Sequence, residues 1–119
     1  MTIRLDHLMW GAPSLEVGMA EAERLFGVAP APGGSHQGLG TCNALLSLGQ
    51  APSGQAVYLE VIAPDPEQDV TNNLAGRLAT LDEPGLITWA ASAPALQELA
   101  GRAAALELVV RGPIPTRRA

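Results

Sequence analysis

The feature that most constrains the fold of this chain is a weak internal repeat of a strand followed by a helix. The segment RLDHLMWGAPSLEVGMAEAERLF aligns without gaps on GLITWAASAPALQELAGRAAALE, so that Leu15 falls on Leu96 and Leu25 falls on Leu106. Residue identity is low, but both copies read as an apolar strand, a turn that contains proline, and an amphipathic helix. A duplication of this length indicates a fold assembled from two similar modules.

The first copy predicts a strand over residues 3–10 and a helix over Leu15–Phe26. Ser14 is a suitable N-cap, Gly27 stands where a helix commonly ends, and apolar residues recur at helical spacing between them. Alternation along the strand directs one set of side chains to the same face. That set is Ile3, Leu5, His7 and Met9.

The middle of the chain predicts two further strands, over residues 41–48 and 56–63, joined by an open loop. Proline and glycine in APAPGGS, residues 29–35, predict a break in regular structure before the first of them. Residues 65–83 read as a linker with one or two helical turns. Trp10 and Trp89, near the ends of the repeated strands, are expected to pack under the helices.

The second copy is incomplete, because its helix is followed by only enough chain for one strand and a tail. The predicted organisation is a single domain over 1–119, with a first module over 1–66, a linker over 67–84 and a partial second module over 85–119. One sheet edge should therefore lack a partner, and natural proteins pair or cover such edges. Either the chain is truncated or a second subunit, in a homodimer, supplies the missing strands.

Composition excludes several classes of function. A net charge of −5 and a pI near 4.8 argue against nucleic acid, since phosphate binding needs a basic surface. The basic cluster of Arg111, Arg117 and Arg118 reads as a solvated tail. The single cysteine, Cys42, excludes an internal disulfide, and no apolar run is long enough to span a membrane. With no signal peptide at the start, a soluble cytoplasmic protein is expected.

The segment GGSHQGLGTCNALLSLG, residues 33–49, does not match a nucleotide-binding loop. It leads into a predicted strand instead of a helix, and the chain contains no lysine to contact phosphates. A nucleotide cofactor is therefore not expected. The glycines are better explained by positive φ angles and close backbone approach at a bulged entry to the strand.

Two ionisable side chains stand out within otherwise apolar strands. Glu60 shares one face of its strand with Tyr58, and a buried carboxylate needs a partner, a ligand or a wet pocket. His7 shares its face with apolar residues, while its neighbour Asp6 is expected on the opposite face. An imidazole and a carboxylate that face one cavity suit Zn, Fe, Ni or Mn, or acid–base chemistry.

A second group of polar residues surrounds the glycine-rich turn. His36 lies in the turn itself, and Thr41 and Asn43 alternate to one face of the strand that follows. All three offer hydrogen bonds to a polar substrate. Cys42 points the other way and reads as a buried structural thiol, and no serine or cysteine has partners for a hydrolase triad.

The order of these elements resembles the vicinal oxygen chelate (glyoxalase/bleomycin resistance/dioxygenase) superfamily, and most closely its glyoxalase-like domains. Three segments carry the resemblance: LDHLMWGAPSLE, GGSHQGLGTCNALLSLG and YLEVIAPDP. The resemblance implies an α+β fold, in which a βαβββ module and part of a second βαβ module form a curved mixed sheet with helices on its outer face.

The resemblance also implies a site. Metal-dependent members of the superfamily place one ligand on the first strand and a carboxylate on the fourth strand of each module, which correspond here to His7 and Glu60. The second copy departs from this pattern, because Thr88 stands where the first copy has His7 and the fourth strand of the second module is missing. A complete four-ligand site would need a second subunit, or His36 as a third ligand.

Three hypotheses follow for the function. The first is a small-molecule enzyme of lyase, isomerase or dioxygenase type, with His7 and Glu60 as catalytic residues and tentative metal ligands. Its substrate-binding residues would be His36, Thr41, Asn43 and Tyr58. The second is a non-catalytic module that binds or sequesters a small molecule, as in drug resistance, and the third is a dimerising domain without chemistry.

Overall fold

The structure, a computed structural model, describes residues 2–71 and 73–115. Within them the chain forms five strands of one mixed sheet and three helices. In chain order the elements are β1 (Arg4–Gly11), α1 (Leu15–Phe26), β2 (Ala31–His36), β3 (Thr41–Gln50), β4 (Ala56–Pro64), α2 (Leu74–Leu78), β5 (Gly85–Ser92) and α3 (Leu96–Ala105).

The sheet has the strand order β2-β3-β4-β1-β5. The pair β1–β4 is parallel, whereas β1–β5, β2–β3 and β3–β4 are antiparallel. The first module is therefore βαβββ, and β5 with α3 begins a second module. This arrangement confirms the predicted α+β class and the predicted partial repeat.

Helix α1 forms and packs for reasons that are visible in its sequence. The Ser14 side chain accepts a hydrogen bond from the Val17 backbone N at 3.2 Å, and Gly27 ends the helix in the left-handed region at φ 74°. The helix lies very close to the sheet at Gly18, where a Cβ atom would fall 2.6 Å from Ala12 Cβ and 2.7 Å from Val61 Cγ1. This close approach builds the small core of Ala22, Ala44 and Val61.

Strand β2 corrects the prediction for residues 29–35. Ala31–His36 pairs with β3 despite Pro32 and two glycines, with an irregularity in register between Pro32 and Ser35. Tertiary pairing with β3 overrides the weak local preference, and the bulge and the edge position accommodate proline. The predicted linker contains the short helix α2, whose N-cap is Asn73.

The second module is poorly covered. No residue of α3 is buried, and residues 107–115 form no strand, contrary to expectation. Trp10 packs against the core with its ring 6.2 Å from that of Phe26. Trp89, predicted to be equivalent, is 64 % exposed, because α3 does not cover the outer face of β5.

Within the described residues, no helix is long and apolar enough to cross a lipid bilayer. Arg111, in the predicted basic tail, is exposed. Arg117 and Arg118 lie outside the described residues.

Candidate functional site

The pairing registers of the adjacent strands β3, β4 and β1 bring polar side chains together on the sheet face opposite α1. In the parallel pair, His7 lies beside Tyr58 and Met9 lies beside Glu60. The antiparallel register of β3 puts Asn43 beside Ile62. Because side chains alternate along each strand, the polar residues predicted from the sequence share one face and the apolar core lies on the other.

Glu60 is the centre of this group and is only 8 % exposed. Its Oε2 accepts a hydrogen bond from Asn43 Nδ2 at 2.7 Å. His7 Nε2 lies 3.5 Å from Glu60 Oε1, and His36 Nε2 lies 3.7 Å from Glu60 Oε2. One carboxylate therefore stands between two imidazoles, in surroundings where its charge is poorly hydrated.

Asp6 contacts His7, which corrects the prediction that it points to the other face. Its Oδ2 lies 2.7 Å from His7 Nδ1, and the β1–β5 register shifts between Leu5 and His7. The irregularity at residue 6 breaks simple alternation and lets the carboxylate reach the imidazole. A carboxylate only accepts hydrogen bonds, so at this distance Asp6 Oδ2 accepts from His7 Nδ1–H.

The pKa of Asp6 is held below its ordinary value, chiefly by the hydrogen bond from His7 and against the opposing effect of burial. Tyr58 and Gln55 also donate hydrogen bonds that lower this pKa, and Gln55 Nε2 lies 3.1 Å from Asp6 Oδ1. Asp6 is therefore a carboxylate at neutral pH. The ring of Tyr58 stacks on that of His7, with centroids 4.8 Å apart.

Asn43 fixes the second imidazole. Its Oδ1 accepts from the Gly34 backbone N at 3.0 Å, so its amide protons point to Glu60 and to His36 Nε2, which is 3.2 Å away. His36 Nε2 is consequently an acceptor, and Nδ1–H donates to Thr41 Oγ1 at 2.8 Å. The buried Thr41 and the half-buried Asn43 thus orient His36 as well as facing the cavity side of the sheet.

A cavity of about 390 Å³ opens beside Glu60. Its wall mixes polar and apolar groups, and α2 contributes its first residues to one side. The lining residues are Met9, His36, Gly38, Leu39, Thr41, Glu60, Ile62, Asn73 and Leu74. Three of the predicted site residues therefore line the cavity. His7 and Asn43 lie behind it in contact with Glu60, and Tyr58 stacks on His7.

Two residues around the site were not predicted from the sequence, for different reasons. Asn73 carried a usable signal, because asparagine before an apolar segment is a common N-cap. Gln55 carried none, since it lies in the β3–β4 loop and reaches Asp6 only in the folded chain.

Two donor atoms of the chain fit a divalent ion. His7 Nε2 and Glu60 Oε1 are 3.5 Å apart with no protein hydrogen bond to either among the described residues, and two ligands of one tetrahedral ion lie about 3.4 Å apart. However, the described part of the chain contains no group of three or more histidine, cysteine, aspartate or glutamate residues placed to hold a metal. The described residues therefore hold no complete metal site, and further ligands would have to come from water, substrate or another subunit.

Cys42 is not part of the cavity. Its Sγ donates to the Pro64 carbonyl oxygen at 3.6 Å, and burial, followed by the charge of Asp65, raises the pKa of the thiol. A thiol that stays protonated is a poor nucleophile, in agreement with its predicted structural role.

The solved structures most informative about this fold are methylmalonyl-CoA epimerases. A variant of the Streptomyces coelicolor enzyme in complex with 2-nitronate-propionyl-CoA superposes with a TM-score of 0.75 at 18 % identity, covering 98 % of this chain and 80 % of the other. A methylmalonyl-CoA epimerase in complex with methylmalonyl-CoA and NH4+ gives 0.76 at 18 % identity, with coverages of 100 % and 80 %. The Mycobacterium tuberculosis enzyme gives 0.61 at 20 % identity, with coverages of 87 % and 64 %.

At these identities the likeness shows the fold and not the activity. A comparison with curated protein sequences gave no match. The sequence itself matches the family described as the glyoxalase-like domain over residues 5–118. This match covers nearly the whole chain and confirms the resemblance to the vicinal oxygen chelate superfamily. The chain belongs to the glyoxalase-like domain family.

Proposed function

We propose that this protein is an enzyme that acts on a small molecule in the cavity beside Glu60. The observation that carries the proposal is the convergence of two electron-pair donors, His7 Nε2 and Glu60 Oε1, at 3.5 Å. Facing lone pairs repel unless a cation or a proton lies between them. The site is therefore arranged to take up a metal ion or to transfer a proton.

In the proposed mechanism Glu60 is the general base. Its carboxylate reaches the cavity, and the hydrogen bond from Asn43 at 2.7 Å fixes its orientation. His36 and Thr41 line the same cavity and position a polar substrate group. A zinc, iron, nickel or manganese ion held by His7 and Glu60 would supply a Lewis acid that polarises a carbonyl or diol oxygen.

The reaction class follows from these groups. A carboxylate base beside a polarised carbonyl suits removal and return of a proton on the adjacent carbon, which is isomerase chemistry. The epimerase fold of the structural neighbours supports this choice over lyase or dioxygenase chemistry. Those neighbours bind CoA esters, so a carbonyl compound is the substrate class to examine first.

A non-catalytic binding module is the second candidate. The observation that favours it is that the described part of this chain supplies two metal ligands and no third. Thr88 lies on β5, the first strand of the second copy, where it pairs with Met9, and a threonine hydroxyl is a weak ligand for these metals. Without an ion, the cavity would bind a small molecule through its apolar wall and His36.

Metal binding separates the two candidates. Purified protein is expected to retain zinc or nickel, and His7→Ala and Glu60→Ala are each expected to weaken its affinity on the order of 100-fold. Elemental analysis and calorimetric titration measure the stoichiometry and the dissociation constant. Glu67→Ala is the matched control, because this carboxylate is exposed and lies outside the cavity lining. If the wild type takes up no ion, or the variants bind it equally well, the metal-dependent enzyme is ruled out.

We also propose that a second copy of the chain covers β5 and α3. The accessible surface is 8151 Å², whereas a compact protein of 12.3 kDa exposes about 6,100 Å². The difference is about 2,000 Å² for one chain and so about 4,000 Å² for two, which is within the range that obligate homodimers bury in total. The exposed apolar residues of this surface are Leu86, Trp89, Leu96, Leu106, Leu108 and Val109.

One of the two edges of the sheet lies in the same place. Within the described residues β5 pairs on one side only, and its sequence, GLITWAAS, contains no proline or charged residue that would discourage pairing. An isologous contact between two β5 edges would give hydrogen-bond partners to the unpaired backbone N–H and C=O groups of both edges, and it would bury Trp89 in both copies. The homodimer predicted from the sequence is thus proposed to form through this surface.

Light scattering after size exclusion tests the dimer. The expected mass is twice 12.3 kDa, and Trp89→Glu is expected to convert the protein to a monomer with unchanged circular dichroism. Val28→Glu is the control, since Val28 is 58 % exposed and follows α1, outside the proposed interface. A wild type that remains monomeric across a concentration series would contradict the proposal.

A further inference from the structure

We propose that Asp6 is the positioning residue of the site, which holds His7 in the one tautomer that leaves Nε2 free to face Glu60. The inference rests on the proposed function, because it concerns the atom through which His7 would bind an ion or receive a proton. Its basis is a comparison of the two ring nitrogens of His7. Nδ1 lies 2.7 Å from Asp6 Oδ2, whereas Nε2 lies 3.5 Å from Glu60 Oε1.

The two sides of the imidazole compete for one proton. With a carboxylate at each side, the proton of neutral His7 lies on the nitrogen that makes the shorter contact, which is Nδ1. If Asp6 were absent, Glu60 would be the remaining acceptor and the proton would move to Nε2. His7 would then donate to Glu60, and the pair could no longer offer two lone pairs to an ion.

Asp6 is itself fixed by groups from distant parts of the chain. Gln55 Nε2 donates to Asp6 Oδ1 at 3.1 Å and lies 3.3 Å from Ser92 Oγ. Gln55 precedes β4 and Ser92 ends β5, so this bridge ties the carboxylate to the strands on both sides of β1. The ring of Tyr58 stacks on His7 and limits its rotation. Together these contacts fix the orientation of the His7 imidazole.

Long-range proton–nitrogen NMR of histidine-labelled protein tests the proposal directly. The chain contains only two histidines, so His36→Gln assigns the signals of His7. In metal-free protein, at a pH at which the His7 imidazole is neutral, the expected spectrum shows a proton on Nδ1 and none on Nε2. Asp6→Asn is expected to move the proton to Nε2 and to weaken zinc affinity by about 10- to 100-fold. Asp65→Asn, which removes a carboxylate bonded to Gln68, is expected to change neither.

The outcomes distinguish this inference from the proposed function. An Nε2–H tautomer in the wild type, or an unchanged tautomer in Asp6→Asn, overturns the positioning role. If Asp6→Asn shifts the tautomer but the wild type binds no zinc, the positioning role is supported and only the proposed metal site is contradicted. If Asp6→Asn does not fold, the double variant Gln55→Ala with Tyr58→Phe replaces it, because it removes both of these hydrogen bonds to Asp6 and keeps an aromatic ring beside His7. This double variant is expected to raise the Nε2–H fraction, and an unchanged fraction overturns the proposal.

Discussion

Replacing Asn43 with aspartate is expected to lower the free energy of unfolding by about 3 kcal/mol at pH 8. The amide of Asn43 donates to Glu60 Oε2 at 2.7 Å, and Glu60 is 8 % exposed. The substitution would put a second carboxylate at that distance in a poorly hydrated site. Two carboxylates so close together cannot both ionise, so the folded variant must take up a proton that the unfolded chain does not need.

The sign of the pH dependence follows from this uptake. The shared proton raises the pKa of the carboxylate pair in the folded variant above the ordinary value of about 4 in the unfolded chain. The loss of unfolding free energy in the variant is therefore absent at low pH. It grows as the pH rises, by up to about 1.4 kcal/mol per pH unit, until the pKa of the pair in the folded variant is reached. Urea unfolding of the variant and the wild type between pH 4 and pH 8 measures the difference.

The double variant Asn43→Asp with Glu60→Gln is the control. It removes one of the two charges and restores a donor opposite the new carboxylate, so most of the lost stability should return. A pH-independent loss in the single variant, or no recovery in the double variant, would show that residues 43 and 60 do not touch.

Replacing Gly40 with alanine is expected to cost about 3 kcal/mol of stability, by strain in the backbone together with overpacking. Gly40 has φ 76°, and a Cβ atom there would lie 2.7 Å from Asn73 Nδ2 and 2.8 Å from the Asp69 carbonyl oxygen. Its own carbonyl oxygen accepts from the Asp65 backbone N at 2.8 Å. The turn after β2 is thereby packed against the segment that begins α2, at the wall of the cavity.

Gly38 provides a matched comparison in the same turn. Its φ is 81°, similar to that of Gly40, but a Cβ atom there would have no neighbour within 4 Å. Gly38→Ala should therefore cost only the backbone strain, about 1–2 kcal/mol. Thermal or urea unfolding of both variants separates the two contributions, and equal losses would mean that Gly40 is not packed against Asp69 and Asn73.

The first module was largely predictable because local signals and tertiary structure agree there. The helix Leu15–Phe26 has its cap, its apolar stripe and its final glycine in sequence order, and all are found in the structure. Strand β2 was missed, since Pro32, Gly33 and Gly34 have low strand preference and only pairing with β3 makes them extended.

In the candidate site, too, some features were predictable from local sequence and others depended on tertiary pairing. Alternation along single strands placed Glu60 and Tyr58 on one face, and Thr41 and Asn43 on one face, as the registers of β3 and β4 require. The roles of these residues, and those of His7 and His36, stay predictions. Asp6 was misplaced because a local irregularity in β1, set by its pairing with β5, cannot be derived from alternation.

By itself, the sequence determined the partial repeat and the face on which Glu60 lies, because these depend on periodicity within short segments. The α+β class and the βαβββ order came from the family resemblance, since local preference alone did not predict β2. Only the tertiary structure decided which atoms meet. The contacts of Glu60 with Asn43 and both histidines, of Asp6 with His7 and Gln55, and the exposure of Trp89 all depend on strand register and helix packing. Such contacts join residues far apart in the chain, and their geometry is fixed only when the sheet is assembled.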